Sequence, residues 1–192
     1  MKYNDNGTYK DIYIKSFDTL PVGTEVDYDG QTVPSGWTEV PSTNAIVVNL
    51  TTTQANISIT TSYRLVKIPL NNEYLKIGTK LSFDSTNNNI VIGSGVHHVR
   101  ISAQSYLGEF SNNQNKERIL VIIKNTNSWL AQSDDIHAYN TRDKITLNIS
   151  NCIVSVSEGD TISLQTVSEV VETYKINGSD DLKTFITVEV ID

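Results

Sequence analysis

The chain has 192 residues, a length typical of one domain with an extension or of two small domains. Its formal net charge of −7 at pH 7 argues against binding to nucleic acid or to an anionic membrane surface. No stretch approaches the roughly 18 apolar residues of a membrane span, and the N-terminus lacks the apolar core of a signal peptide. We therefore expect a soluble protein that is made and folded in a cytoplasm.

Thr, Ser, Asn, Val and Ile dominate the composition. Because β-branched residues favour strands and Asn and Ser favour turns, we expect an all-β protein with very little helix. A single cysteine, Cys152, excludes a disulfide within one chain. Its apolar surroundings indicate a small buried hydrophobe rather than a reactive thiol.

Residues 1–40 are rich in turn signals, with glycines placed where tight turns need them. Tyr3, Tyr9 and Tyr13 are spaced through a polar lead-in that cannot form a core of its own. Such a lead-in either frays or lies along a partner, and we interpret residues 1–40 as an attachment segment.

Residues 41–74 carry short apolar runs that predict connecting strands, one at residues 46–48 and another around Ile57 and Ile59. The sequence at 69–72 predicts a hinge into the second part of the chain. From residue 75 to 192, regularly spaced strands predict an antiparallel sandwich or jelly-roll head. The predicted strands cover residues 80–83, 89–92, 96–106, 118–124, 128–131, 136–139, 145–156, 161–166, 170–176 and 184–191.

Two local patterns refine this prediction. In residues 145–156, the alternating apolar residues occupy odd-numbered positions up to Ile149 and even-numbered positions from Cys152 onward. Such a phase change within one strand indicates a β-bulge. In addition, residues 119–123 are apolar at both parities, whereas an antiparallel strand of a monomeric sandwich is normally apolar on one face only. Either another part of the same chain covers the second face, or the strand lies at a subunit interface.

The order of three motifs, GVHHVRISAQSY at 95–106, ITLNISNCIVSVSEGDTISLQT at 145–166 and FITVEVI at 185–191, resembles the trimeric jelly rolls of the C1q/TNF superfamily. The resemblance covers roughly the last 115 residues and implies a homotrimer. Together with the two-sided run, it gives four candidates for the trimer interface: Leu120, Ile122, Phe185 and Val188.

The segment LPVGTEVDYDGQTVPSGWTEV at 20–40 resembles a stretch that recurs in phage fibre and tail-collar proteins. It departs from the collar form after Trp37, so the resemblance implies a fibre-like segment and not the collar role. A head fibre of a small phage that infects a Gram-positive bacterium is the implied family. The candidate anchoring residues are Tyr3, Tyr9, Tyr13, Pro21, Gly23, Gly30, Pro34, Gly36 and Trp37.

The sequence offers little catalytic chemistry. His97 and His98 are adjacent, so on a strand they face opposite sides and cannot chelate one ion together. His137 follows Asp134 and Asp135, where solvated loop charges are favoured over a cation site. The other carboxylates fall mostly in turns, where Asp bonds its own backbone. We expect no enzyme activity, no metal and no cofactor.

The two tryptophans are the residues that a sugar-binding protein would use for stacking. Trp37 is interpreted as packing over its own turn. Trp129 is either an exposed ligand platform or a strand residue that faces the core, and the core is favoured.

Two functions fit these features. The leading hypothesis is a trimeric head fibre or capsid decoration, anchored by its N-terminal segment to the major capsid protein or another virion protein. The alternative is a tail fibre or receptor-binding protein whose head binds a host surface glycan. The expected location is the virion, assembled in the host cytoplasm, and the fold alone cannot separate the two functions.

Overall fold

In the computed structural model the chain divides into two compact units, Met1–Thr43 and Asn44–Asp192. In the first unit the structure describes the backbone of four short strands. In the second it describes residues 44–51, 55–111, 116–133, 144–178 and 183–191, and the backbone at 136–138. Among these residues there is no helix long and apolar enough to cross a membrane.

The first unit contains two small antiparallel pairs. Strand β1 (Lys2–Asp5) pairs with β2 (Thr8–Asp11), and β3 (Tyr13–Ile14) pairs with β4 (Thr38–Glu39). The side chains of the candidate anchoring residues lie outside the described part of the chain, so their anchoring role stays a prediction. The boundary of the unit falls three residues beyond the predicted end of the attachment segment.

The second unit is built from two antiparallel sheets. Sheet I contains β5 (Ala45–Asn49), β6 (Ala55–Ile59), β8 (Asn72–Ile77), β11 (His98–Gly108), β15 (Lys144–Ser155), β17 (Glu172–Asn177) and β18 (Phe185–Val190). Sheet II contains β7 (Val66–Lys67), β9 (Leu81–Asp84), β10 (Asn89–Ile92), β12 (Lys116–Lys124), β13 (Ser128–Gln132), β14 (Ile136–Ala138) and β16 (Thr161–Ser168).

Strand β11 organises sheet I. Strand β15 pairs along one of its edges, while β18 and then β17 occupy the other. Beyond β18 the sheet continues through β5 to β8, and beyond β17 it continues to β6. In sheet II, β12 lies between β13 and β16, and β16 carries β10 and β7 on its far edge.

The main core fills the space between the sheets, because alternate residues of each strand point inward. Sheet I contributes Ile46, Val48, Val99, Ile101, Leu107, Leu147, Ile186 and Val188, and sheet II contributes Leu81, Ile90, Ile92, Leu120, Ile122, Ile162 and Leu164. All ten strands predicted beyond residue 75 are present, with shifts of a few residues at their ends. The all-β prediction is confirmed.

The predicted bulge is also confirmed. Ile101 lies opposite Cys152 but Ala103 lies opposite Ile149, so the pairing of β11 with β15 shifts where the parity changes. Asn151 has a positive φ of 52°, and its backbone N–H donates to the Ser102 hydroxyl at 3.1 Å. A residue that tolerates the left-handed conformation is what a bulge of this kind needs.

The segment predicted to connect the two parts is, from Asn44 onward, part of the head. Strands β5, β6 and β8 belong to sheet I and β7 belongs to sheet II. The predicted hinge at 69–72 leads directly into β8, and the Asn71 N–H donates to the Asn49 carbonyl. Pairing with distant strands, which sequence alone does not show, holds these short strands in the sandwich.

Both faces of β12 are buried within one chain. Leu120 and Ile122 point into the main core. Ile119, Val121 and Ile123 form a second cluster with Val167 on the opposite face of sheet II, and none of the four is more than 7% exposed. The apolar run at 119–123 is therefore explained by burial of both faces within a single chain, and it does not require a subunit interface.

A buried ion pair joins the two sheets at one end of the sandwich. The Arg118 guanidinium donates two hydrogen bonds to the Glu172 carboxylate, at 2.9 and 2.7 Å, and both side chains are fully buried. It also donates to the Lys116 carbonyl and stacks 4.1 Å from the centre of the Phe110 ring. The Ser168 hydroxyl donates to the same carboxylate, so both charges are well satisfied.

Candidate subunit interface

Alternation leaves residues on the outer face of sheet I exposed. On β11, Val99 and Ile101 are fully buried in the core, whereas His98 and Arg100 are exposed. Directly paired residues share a face, so the pairing extends this outer face across the sheet. It includes Ala45 and Val47 of β5, Leu75 and Ile77 of β8, Phe185 of β18, and Ile153 of β15.

One edge of this face is strongly apolar. We define the β8 rim as Tyr74, Leu75 and Ile77, which are 53%, 46% and 45% exposed. Leu75 lies opposite Val47, and the register then slips so that Tyr74 has no direct partner. Strand β8 ends sheet I in the described part of the chain. Exposed apolar residues on an edge strand mark a surface that is normally covered by a partner.

The opposite edge of the sandwich carries two further exposed apolar residues on neighbouring strands. We define the β13/β15 rim as Trp129, 48% exposed, and Ile153, 57% exposed. Trp129 lies opposite Ile123 on the outer face of sheet II, and Ile153 lies opposite Arg100 on the outer face of sheet I. The two strands meet where the Cys152 thiol approaches the Leu130 carbonyl, at 4.0 Å. The two rims therefore lie at opposite edges and differ in composition.

Between the rims, the outer face of sheet I carries charged and polar residues beside the half-buried Ala45, Val47 and Phe185. Arg100 and Glu189 form an ion pair at 3.0 Å with both side chains more than a third exposed, which in this form is worth no more than about 1 kcal/mol. Ser102, Gln104 and Thr187 lie half-buried in the same region.

Trp129 is 48% exposed, so the prediction that its side chain faces the core is wrong. The pairing of β13 with β12 slips between Ile122, opposite Ala131, and Ile123, opposite Trp129. Leu130 and Ala131 both pack against the core. Because this bulge places two consecutive residues toward the core, the indole is directed away from it.

Three of the four predicted interface residues belong to the core. Leu120, Ile122 and Val188 are 0% exposed in one chain, so they cannot contact another subunit. The two-sided apolar run on which Leu120 and Ile122 rested is explained by the second buried cluster. Phe185 is different, because it is half-buried on the outer face of sheet I opposite Gln104 and Asn49.

Sequence reasoning missed the β8 rim. Residues 74–77 alternate as Tyr-Leu-Lys-Ile, which is a strand signal. Because residues 69–72 carry turn signals, the sequence predicts a hinge where strand β8 begins, and the strand itself is not predicted. Ile153 was placed correctly on β15, but nothing in its sequence indicates that its side of the strand is uncovered.

The residues considered for chemistry are dispersed. His97 and His98 are both exposed at the start of β11, and the side chain of His137 lies outside the described residues. Cys152 is half-buried and packs against the core, and this burial raises the pKa of its thiol.

Two of the acidic turn residues behave as the sequence predicts. The Asp160 carboxylate accepts hydrogen bonds from the Asn125 amide and the Ser157 backbone N–H, and these contacts lower its pKa. The Asp84 carboxylate accepts from the Asn87 side chain and from the backbone of its own turn, which lowers its pKa as well. Both carboxylates stabilise turns.

No family model matches the sequence, and no curated protein matches it. The fold, however, is that of solved TNF proteins. Eiger TNF from S. frugiperda aligns with a TM-score of 0.53 and 9% identity over 79% of this chain and 94% of its own. Murine APRIL at pH 5.0 aligns with a TM-score of 0.54 and 9% identity over 78% and 99% of the two chains. The head is therefore a TNF-like jelly roll, as the sequence resemblance implied.

Proposed function

We propose that this chain is a non-catalytic phage structural protein, a homotrimeric head fibre or capsid decoration that is anchored by its N-terminal segment. The observation that carries the assembly part of the proposal is the presence of two unlike apolar rims at opposite edges of the head. The resemblance of residues 20–40 to phage fibre proteins supports the location on a virion.

A ring of three subunits needs a heterologous interface, in which two different patches of each copy meet. A twofold dimer would use one self-complementary patch instead. The β8 rim and the β13/β15 rim are different and lie at opposite edges, so the first arrangement fits them. In this trimer, Leu75 and Ile77 of one copy contact the neighbour's rim of Trp129 and Ile153, and Phe185 lies near the contact.

The N-terminal segment supplies the attachment in this proposal. It is polar, it carries spaced tyrosines, and it forms a unit separate from the head. Such a segment gains most of its order and affinity from a partner surface. Deleting residues 1–16 is expected to leave a folded trimer that no longer joins particles in a complementation assay. Normal incorporation of the truncated protein would place the anchor elsewhere.

The position on the particle is tested by labelling. Antibodies against the head, visualised with gold on purified phage particles that encode this chain, are expected to decorate the capsid. Labelling confined to the tail would support the alternative, a receptor-binding protein that recognises a host glycan. Absence of the chain from purified particles, measured by mass spectrometry, would contradict a virion role.

A further inference from the structure

A lysine amine and an asparagine amide are in direct contact on sheet II. The Lys67 Nζ donates one hydrogen bond to the Asn89 Oδ1 at 2.9 Å and another to the Asn87 carbonyl oxygen at 3.0 Å. Because a carbonyl bond is about 1.23 Å long, Nζ is at most about 4.1 Å from the Asn89 Cγ. Atoms that are positioned to react lie about 3–3.5 Å apart, so the amine is already close to the distance at which it can attack this carbon.

The fold brings Lys67 and Asn89 together from two short strands. Strands β7 and β10 both pair with the edge of β16 that lies opposite to β12. Ile68 and Ile90 point into the main core, so the residues that precede them, Lys67 and Asn89, point to the outer face of the sheet. Two strands of one sheet therefore position the amine and the amide beside each other.

The charges around this contact suit a nucleophilic amine. Partial burial lowers the pKa of the Lys67 amine and outweighs the opposing attraction of the Asp84 carboxylate. A lower pKa increases the fraction of neutral amine, which is the form that attacks a carbonyl carbon. The Asn87 side chain and backbone donate to Asp84, and these hydrogen bonds lower its pKa. The neutral amine therefore has an ionised carboxylate nearby as a proton acceptor.

We propose that Lys67 and Asn89 form an isopeptide bond within one chain. The neutral Lys67 Nζ attacks the Asn89 Cγ, and the bond from this carbon to the amide nitrogen Nδ2 breaks. Asp84 accepts the proton that the attacking nitrogen loses and returns it to Nδ2, which leaves as ammonia. One carbon–nitrogen bond forms and one breaks, so the reaction needs neither an oxidant nor a cofactor.

This bond gives the head a covalent closure. It links residues that are 22 positions apart, and a covalent link of this kind restricts the unfolded chain as a disulfide does. The chain has a single cysteine, so a disulfide within one chain is not possible. The isopeptide bond holds β7 and the turn between β9 and β10 together by a link that reducing agents do not break.

Mass spectrometry of the purified full-length protein, incubated at neutral pH and then denatured, tests the proposal. Wild type is expected at about 17 Da below the mass of its sequence, because one ammonia is lost. Cyclisation of an asparagine onto the backbone gives the same loss, so tryptic peptides locate the change. We expect a branched peptide that joins Lys67 to Asn89, with no cleavage after Lys67. Cleavage after Lys124, whose amine pairs with the Asp160 carboxylate, is the internal control.

Two variants separate the roles of the side chains. Lys67→Arg keeps the positive charge and the hydrogen-bond donors, but a guanidinium stays protonated and does not attack a carbonyl. This variant should fold and give no branched peptide. Asp84→Asn removes the proton acceptor, so the branched peptide should accumulate at least about tenfold more slowly than in wild type. Equal rates would contradict the role given to Asp84.

Recovery of Lys67 and Asn89 only in separate, unmodified peptides from folded wild type overturns the proposal. A loss of about 17 Da that persists in Lys67→Arg also overturns it, because the ammonia then comes from another asparagine. The bond lies within one chain, and the denatured mass reports it whether or not the protein is a trimer. A failure of the cross-link is therefore distinguishable from a failure of the proposed assembly.

Discussion

At the residue scale, the jelly-roll head contains a fully buried ion pair and a partly exposed ion pair close to it. Arg118 and Glu172 are buried completely, with a bidentate contact and further partners on both sides. Lys116 and Glu169, close by, form a pair that is about a third exposed. Removing one partner of a buried pair leaves an uncompensated charge in an apolar interior, whereas an exposed partner is rehydrated at little cost.

We therefore predict that Glu172→Gln destabilises the head by about 3–5 kcal/mol. Glu169→Gln, the matched control, should cost less than about 1 kcal/mol. Urea unfolding followed by circular dichroism measures both. Equal losses in the two variants would mean that burial of the Arg118–Glu172 pair does not determine its contribution.

Asp160 gives a prediction about acid. Hydrogen bonds from Asn125 and from Ser157 lower its pKa in the folded protein, so its stabilising contribution is present above the unfolded pKa of about 3.9. That contribution is lost as the pH falls through the lower folded value. Asp160→Asn should lower the melting temperature at pH 7, and the difference from wild type should shrink below about pH 4.

Glu158→Gln removes a charge from the same exposed turn and serves as the control. Thermal scans at several pH values check the prediction. A difference between Asp160→Asn and wild type that stays constant down to strongly acidic pH would show that the carboxylate charge is not what stabilises this turn.

At the element scale, the sequence predicts where most individual strands lie but not which strands pair with one another or in what register. The parity change between Ile149 and Cys152 predicts the bulge in β15, because alternation is a local property. The short strand β8 was missed, since its place in sheet I depends on pairing with β5, which is distant in the sequence. Exposure of Trp129 likewise depends on a register slip against β12.

Strand β12 has a testable consequence of its own. Val121 and Ile122 are both 0% exposed and face opposite sides of sheet II. An aspartate at either position buries an unpaired charge, so both Val121→Asp and Ile122→Asp should fail to fold, as circular dichroism and solubility would report. If Val121→Asp remained folded but dissociated into single chains, the second face of sheet II would be an interface.

At the scale of the whole molecule, exposed apolar residues mark the places where we expect subunits to meet. The formal net charge is −7, which favours a solvated surface, yet several large apolar residues are exposed, among them those of the two rims. The sequence resemblance implied a trimer but indicated mostly core residues as its contacts. Which apolar residues stay uncovered is decided by strand order and edges, and these come from the three-dimensional structure.

The most direct measurement is the mass of the full-length protein by light scattering at micromolar concentration. Wild type is expected at three times 21.3 kDa. The double variant Leu75→Asp/Ile77→Asp, which places charges on the β8 rim, should stay folded and have the mass of one chain. Val171→Asp, an exposed apolar position outside both rims, should keep the trimer mass. A wild-type mass of 21.3 kDa, or a double variant with the same mass as wild type, would contradict assembly through these rims.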